Sequence, residues 1–319
     1  MQKKYSAKIF ILIVLLGLLI LAACATNEPA AIVPPESNEP GQLGDAAAFR
    51  ITPLTELPRI WDVPPPPESA TLADDITTTT LLQLTPLTPG ELLVTMHTSM
   101  GDITMRFFPT EAPMAVENFL THAWDGFYNG ISFHRVMPNF MIQGGCPDGT
   151  GMAGHSIWGS QFGQELSTEL RHFRGALAMA QSAAPNSIGS QFYVVQNNDL
   201  DPGFRSEFAG LLEMQNETGR EFDDGSTVTF GDVHPAEALR YFLENGGTPH
   251  LDWHFSQNPH TVFGHVVAGM DVVDAISSVP VEGGGQANPF QLRPVDPVLI
   301  EGFTFHIYDG ETGMPWSAR

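Results

Sequence analysis

Hydrophobic and polar residues follow three regimes along the chain. A short apolar run, Ile9 to Leu21, follows Lys3, Lys4 and Lys8. From Ala25 to about Gly90 no apolar period is present. This stretch holds the four prolines Pro64 to Pro67, Pro34-Pro35, the four threonines Thr77 to Thr80 and scattered acids. It reads as a tether that cannot bury enough surface to offset the entropy of ordering. From Glu91 the pattern alternates. Leu92, Val94 and Met96, a turn at Ser99 to Asp102, then Ile103, Met105 and Phe107 predict a β-hairpin. Val116, Phe119, Leu120 and Ala123 give a helical stripe, with Thr110 as its cap and Glu111 and Pro113 in its first turn.

Phe133 to Gly145 reads as two short strands about a Pro138-Asn139 turn. Alternation would put Phe133, Arg135 and Met137 on one face, and Gly144-Gly145 ends the second strand. A strand through Leu177 and Met179 ends at Ala180. Pro185-Asn186-Ser187 turns the chain, and Gly189 to Val195 returns as a strand. Residues 197–247 interrupt this β pattern with two helices, one at Phe208, Leu211 and Leu212 and one from Pro235 to Asn245, around a turn at Asp223-Asp224-Gly225. This insertion is too short to bury a good core alone. Val267 to Ser278 predicts a helix with Met270, Val273 and Ile276 inward. Leu299, Phe303, Phe305 and Ile307 alternate as a last strand.

Charge narrows the function classes. The chain has 36 acidic against 14 basic residues, for a net charge of −22. Its lysines are all in the first eight positions, so −22 less three lysines leaves −25 once that segment is gone. A surface without basic clusters does not fit nucleic acid or anionic headgroups. Thirteen apolar residues are too few to span a bilayer, which needs about 20. The segment resembles a secretory signal, and Leu21-Ala22-Ala23-Cys24 is similar to the lipobox of bacterial lipoproteins. That resemblance implies a signal peptide over 1–23, lipidation of Cys24, a tether over 24–90, and a chain anchored by lipid alone on the extracytoplasmic side of the cell membrane. Cys146 is then without a disulfide partner.

Phe133-His134-Arg135 leading to Phe140-Met141-Ile142-Gln143-Gly144-Gly145 closely resembles the signature of cyclophilins, the peptidyl-prolyl cis-trans isomerases. A second block at the right separation resembles the family, Met179-Ala180 with Pro185-Asn186 and Gly189 to Phe192, in a spacing with one extra residue before the Pro. His155 to Gly159 is similar in kind, with His for the family's basic residue, and Leu251-Asp252 with His260 to Gly264 resembles a last block. Two departures occur in the last block. The Gly after Asp252 is replaced by an inserted Trp253 to Pro259, and His250 stands where many members have Trp. The resemblance covers about Glu91 to Tyr308, within a domain of 91–310 followed by a tail of 311–319. It implies a mainly β fold, a closed eight-stranded antiparallel barrel capped by two α-helices, with 197–247 as a partly helical insertion.

For chemistry, the resemblance implies rotation about X–Pro bonds in exported proteins by a monomer without cofactor. Arg135 would act on the prolyl nitrogen, with Gln143 helping to orient it or the substrate carbonyl. Phe140, Met141, Tyr193, Leu251 and His260 would line the proline pocket, and Ala180, Gln181 and Gln191 would contact the peptide backbone. Two other readings compete: a proline-peptide binding module, if the insert at Trp253 blocks the pocket or displaces Leu251, and a lipoprotein scaffold that binds through its insertion. The histidines His234, His250, His254, His260 and His265 suggest a metal. However, Pro249 and Pro259 argue against the helix that a His-x3-His pair needs, and no acidic motif completes the set, so no metal is expected.

Overall fold

The structure is a computed structural model that describes residues 80–184, 186–221, 227–282 and 292–310. The signal segment, Cys24, most of the tether, the Asp223 turn and the tail at 311–319 lie outside them. Strands β1 (Leu92–Thr98), β2 (Gly101–Phe107), β3 (Arg135–Met137), β4 (Met141–Gly144), β5 (Ala176–Met179), β6 (Phe192–Val195), β9 (Val262–Ala268) and β10 (Ile300–Ile307) form one sheet. Every pairing in it is antiparallel, in the order β10-β1-β2-β9-β5-β6-β4-β3. A separate hairpin pairs β7 (Thr218–Glu221) with β8 (Thr227–Thr229).

The sheet is a curled half-barrel and does not close, in contrast to the closed barrel expected. Its edges are β10 and β3. Between them, among the described residues, run an isolated bridge at Ser132 and Leu299 and bonds from Gly130 N to Ile300 O, Ile300 N to Ile131 O, Phe133 N to Val298 O and Val136 N to Leu292 O, without a continuous ladder. The cause lies in the entry to β3. Phe133 and Val136 both pack in the main core, whereas Arg135 and Met137 are only half-buried on the other side. Strand alternation cannot place residues three apart on one face, so the extended backbone breaks at His134. The predicted common face of Phe133, Arg135 and Met137 therefore begins only at Arg135.

Two helices cover the concave face. Helix α1 (Pro113–Trp124) buries Val116, Phe119, Leu120 and Ala123, the predicted stripe, against Met105, Phe192 and Phe263. Thr110 does not cap it. Its free N–H groups at Met114 and Ala115 donate instead to the two carboxylate oxygens of Glu165, at 3.0 and 2.9 Å. Helix α5 (Met270–Ser277) starts later than predicted, because Val267 and Ala268 still belong to β9. Gly269 makes the change of direction at φ +89°, where a Cβ would lie 2.2 Å from Asp102 O.

The insertion holds α2 (Pro202–Glu213), the β7–β8 hairpin, α3 (Phe230–Val233) and α4 (Ala236–Asn245). The two predicted helices are present as α2 and α4, and the hairpin gave no signal in the sequence. Phe208, Leu239 and Phe242 form a small core completed by Phe173, Leu200 and Leu81 from outside the two helices. Packing among the described residues therefore already includes Leu81, ahead of Glu91. Gln83, in a single 3-10 turn over Leu82–Leu84, is fully buried. It accepts from Arg171 N at 2.7 Å and donates to Arg171 O at 2.9 Å, as a strand partner would.

Candidate active site

The convex face of the sheet carries the site. Register aligns Arg135 on β3 with Gln143 on β4, Gln143 with Tyr193 on β6, and Tyr193 with Ala178 on β5. One row of cross-strand neighbours thus holds a cation, an amide, a phenol and a methyl group. Met137, Met141 and Val195 form the next row. Apolar side chains from these rows cluster with Phe140, Ala180 and Leu251.

A groove of about 450 Å³ lies over this floor, lined by Arg135, Phe140, Met141, Gln143, Tyr193, Leu251 and His260, with Ala180 and Gln181 on one wall. Of the predicted site residues only Gln191 is not on it. That residue lines an adjoining hollow of about 220 Å³, which shares Gln143, Ala180 and Gln181 with the groove. His134, Thr150, Gly151, Met152 and Ser182 complete the groove, and the sequence reading singled out none of them. They come from an irregular bend, a Gly-rich loop and a strand exit, where no period marks a side chain's direction.

An ordered chain of amides sets Arg135. Gln191 Nε2 donates to Gly151 O at 3.0 Å and Ala153 O at 2.8 Å, both acceptors only. Its Oε1 must then face Gln143, whose Nε2 donates to it at 3.0 Å. Gln143 Oε1 in turn accepts from Arg135 Nη1 at 3.3 Å. Two backbone carbonyls therefore fix every amide up to the guanidinium, which stands 5.6 Å from the Phe140 ring centroid. Burial lowers the Arg135 pKa from its ordinary value, yet arginine stays charged at neutral pH. Among the described residues no carboxylate lines the groove.

Tyr193, in place of the family's common Phe, brings a hydroxyl to a buried site. Asp252 Oδ1 accepts from both the backbone N–H and Nδ1 of His172, each at 2.7 Å. Nε2 of His172 is left to accept the Tyr193 hydroxyl at 3.0 Å. The phenol tip is thereby tied beneath the floor, and the ring faces a ligand as Phe would. Burial drives the Tyr193 pKa well above its ordinary value, so the ring stays neutral. His260 packs edge-on to Tyr193 at 5.6 Å and donates from Nδ1 to Met179 O. Burial first, then nearby His172, lowers its pKa to about 4. Burial and the charge of Arg135 bring His134 to about 4 as well. Both rings are neutral at neutral pH.

The inserted Trp253 to Pro259 leaves the pocket intact. It departs after Leu251 and returns at His260, where His260 N donates to Leu251 O at 3.1 Å. Phe255 stacks on Phe208 at 5.5 Å in the insertion core, and Trp253 lies under Arg171. Leu251 keeps its place on the groove. His250 stacks on Phe140 at 5.7 Å, at the pocket rim. His234 and His254 pack ring to ring at 4.6 Å, but among the described residues no three His, Cys, Asp or Glu side chains gather as a metal site. Cys146 is free and buried.

A half-barrel with an arginine and an amide relay over an apolar groove has the arrangement that the cyclophilin resemblance implies. Residues 93–304 match the family model "Cyclophilin type peptidyl-prolyl cis-trans isomerase/CLD". The chain belongs to this family of peptidyl-prolyl cis-trans isomerases. A Staphylococcus saprophyticus protein described as a peptidyl-prolyl cis-trans isomerase is 38% identical over 216 residues, covering 68% of this chain and 95% of that protein. A Staphylococcus haemolyticus protein of the same description is 40% identical over 212 residues, 66% of this chain and 90% of its own. A cyclophilin type isomerase of Cryptosporidium parvum has been solved; it is 24% identical with a TM-score of 0.47, covering 68% of this chain and 99% of its own.

Proposed function

We propose that this isomerase acts on X–Pro bonds of exported proteins and assists their folding outside the membrane, held there by lipid on Cys24. The observation that carries the catalytic part is the fixed chain from Gly151 O and Ala153 O through Gln191 and Gln143 to Arg135. Peptide rotation is opposed by amide resonance, a barrier of about 18–20 kcal/mol. In the twisted state the prolyl nitrogen regains a lone pair. A donor from Arg135 to that nitrogen is stronger in the transition state than in the planar ground state, which is the condition for acceleration. Phe140, Met141, Tyr193, Leu251 and His260 would grip the proline ring and keep water from the amide. Ala180, Gln181 and Gln191 would hold the flanking backbone. No nucleophile, metal or proton transfer is required for this step.

The anchoring part is supported by the basic start, the short apolar run and the small residues before Cys24. No helix among the described residues is long and apolar enough to cross a membrane. The purified mature chain should isomerise a proline peptide in a coupled proteolysis assay, and Arg135→Ala should lose about 100-fold in turnover with its circular dichroism unchanged. Equal turnover would sink the mechanism. Labelling with a fatty-acid analogue, abolished by Cys24→Ala, tests the anchor independently.

A further inference from the structure

The inserted segment also touches the groove wall. Gln181 donates from Nε2 to Pro259 O at 2.8 Å and to Asn258 Oδ1 at 3.0 Å. Gln164 reaches the same two oxygens, at 2.7 and 3.2 Å. Asn258 Nδ2 donates to Ser182 O at 3.2 Å. Amide orientations are usually ambiguous. Here they are fixed, because Pro259 O and Ser182 O can only accept. The nitrogen of Asn258 must face Ser182, its oxygen must face the two glutamines, and the nitrogen of Gln181 must face the insert.

This polarity has a consequence for a bound peptide. Gln181 lines both the groove and the adjoining hollow. With its nitrogen turned to Asn258 and Pro259, the edge left for a ligand is Oε1, which has no partner among the described residues. We propose that Asn258 is a positioning residue that holds Gln181 as an acceptor, so that the groove selects segments with a free backbone N–H opposite it. Trp253 to Pro259 is extra to the family pattern that the sequence shows elsewhere. The inference rests on the isomerase reading above for the site and adds the polarity of its wall.

The test uses the mature chain and a proline peptide in which one backbone N–H at a time is replaced by an ester oxygen, adding no bulk. Peptide affinity is read by fluorescence titration and KM and kcat by the coupled assay. In the wild type one ester position should weaken affinity and raise KM about tenfold, the scale of one lost hydrogen bond to a half-buried wall, with kcat retained. Gln181→Leu should erase that penalty. Asn258→Ala should cut it to about threefold, with Pro259 O still holding the Gln181 nitrogen, and Asn258→Asp, which turns an oxygen onto Ser182 O, should not restore it in full. A penalty equal in the wild type, Gln181→Leu and Asn258→Ala, or no penalty at any position, would overturn the proposal. The affinity pattern present without turnover would overturn the isomerase reading and leave this inference standing.

Discussion

Tyr193 hands its hydroxyl to Nε2 of His172 across 3.0 Å, and Asp252 holds that imidazole from the other side at 2.7 Å. His172 and Asp252 are almost wholly excluded from solvent. The pair lets an apolar floor contain a phenol without presenting a polar group to the groove. Tyr193→Phe should therefore spare catalysis and cost stability. Leaving a buried ring nitrogen unpaired costs about 1–3 kcal/mol, so the urea midpoint should fall while kcat stays within about threefold of wild type. A large loss of kcat with unchanged stability would show that the hydroxyl faces the substrate.

Gln143 has a role the Tyr193 hydroxyl does not. It accepts from Arg135 and donates to Gln191. Gln143→Leu would remove this acceptor and the aim it gives the guanidinium. Catalysis that depends on aim should suffer in kcat, by about tenfold or more, with KM little changed. Gln143→Glu would pull Arg135 into an ion pair and confront Gln191 Oε1 with a second acceptor, so it should not rescue. Steady-state kinetics of the two variants checks both statements.

How much of this was legible beforehand differs by residue. Arg135, Gln143, Phe140 and Met141 fall within one short stretch whose residue types already pair a donor with an apolar surface, and Tyr193 and His260 lie in blocks of the same resemblance. What escaped the sequence depends on long-range closure. Glu165 caps a helix whose N–H groups at Met114 and Ala115 lie 51 and 50 positions earlier. His172 meets Asp252 across 80 positions. Gln83 finds Arg171 across 88. No local period reports such pairings. The open sheet escaped for a different reason, since the break at His134 changes backbone direction within an unbroken apolar pattern.

Glu165 makes the stability of the domain depend on pH. Burial outweighs its two bonds to α1 N–H groups and raises its pKa from 4.5 to about 7. A carboxyl raised on folding contributes stability that is complete below about pH 4.5 and is lost as pH rises through 7. The histidines act in the opposite sense. His134, His234 and His260, each lowered to about 4, cost stability as pH falls below their ordinary 6.5. The difference between wild type and Glu165→Gln isolates the carboxyl. Relative to the glutamine variant, the wild type should lose on the order of 3 kcal/mol between pH 4.5 and 8. Parallel unfolding curves across that range would refute the assignment.

The packed segment ahead of Glu91 gives a last test. A fragment beginning at Glu91, where apolar alternation sets in, lacks Leu81 and Gln83. It would expose the insertion core that Leu81 covers and strand both the N–H and the C=O of Arg171, the residue next to His172. Burial of a leucine contributes about 1.5–3 kcal/mol, and each orphaned buried group costs about 1–3 kcal/mol. Within a single cooperative domain these losses fall on the whole fold. The chain carrying Gln83→Ala alone should lose about 2 kcal/mol or more in urea unfolding. The fragment from Glu91 should lose more, and it should bind proline peptides more weakly, because Arg171 precedes the histidine that holds Tyr193. A fragment from Glu91 as stable as the mature chain would show that this turn only rests on the surface.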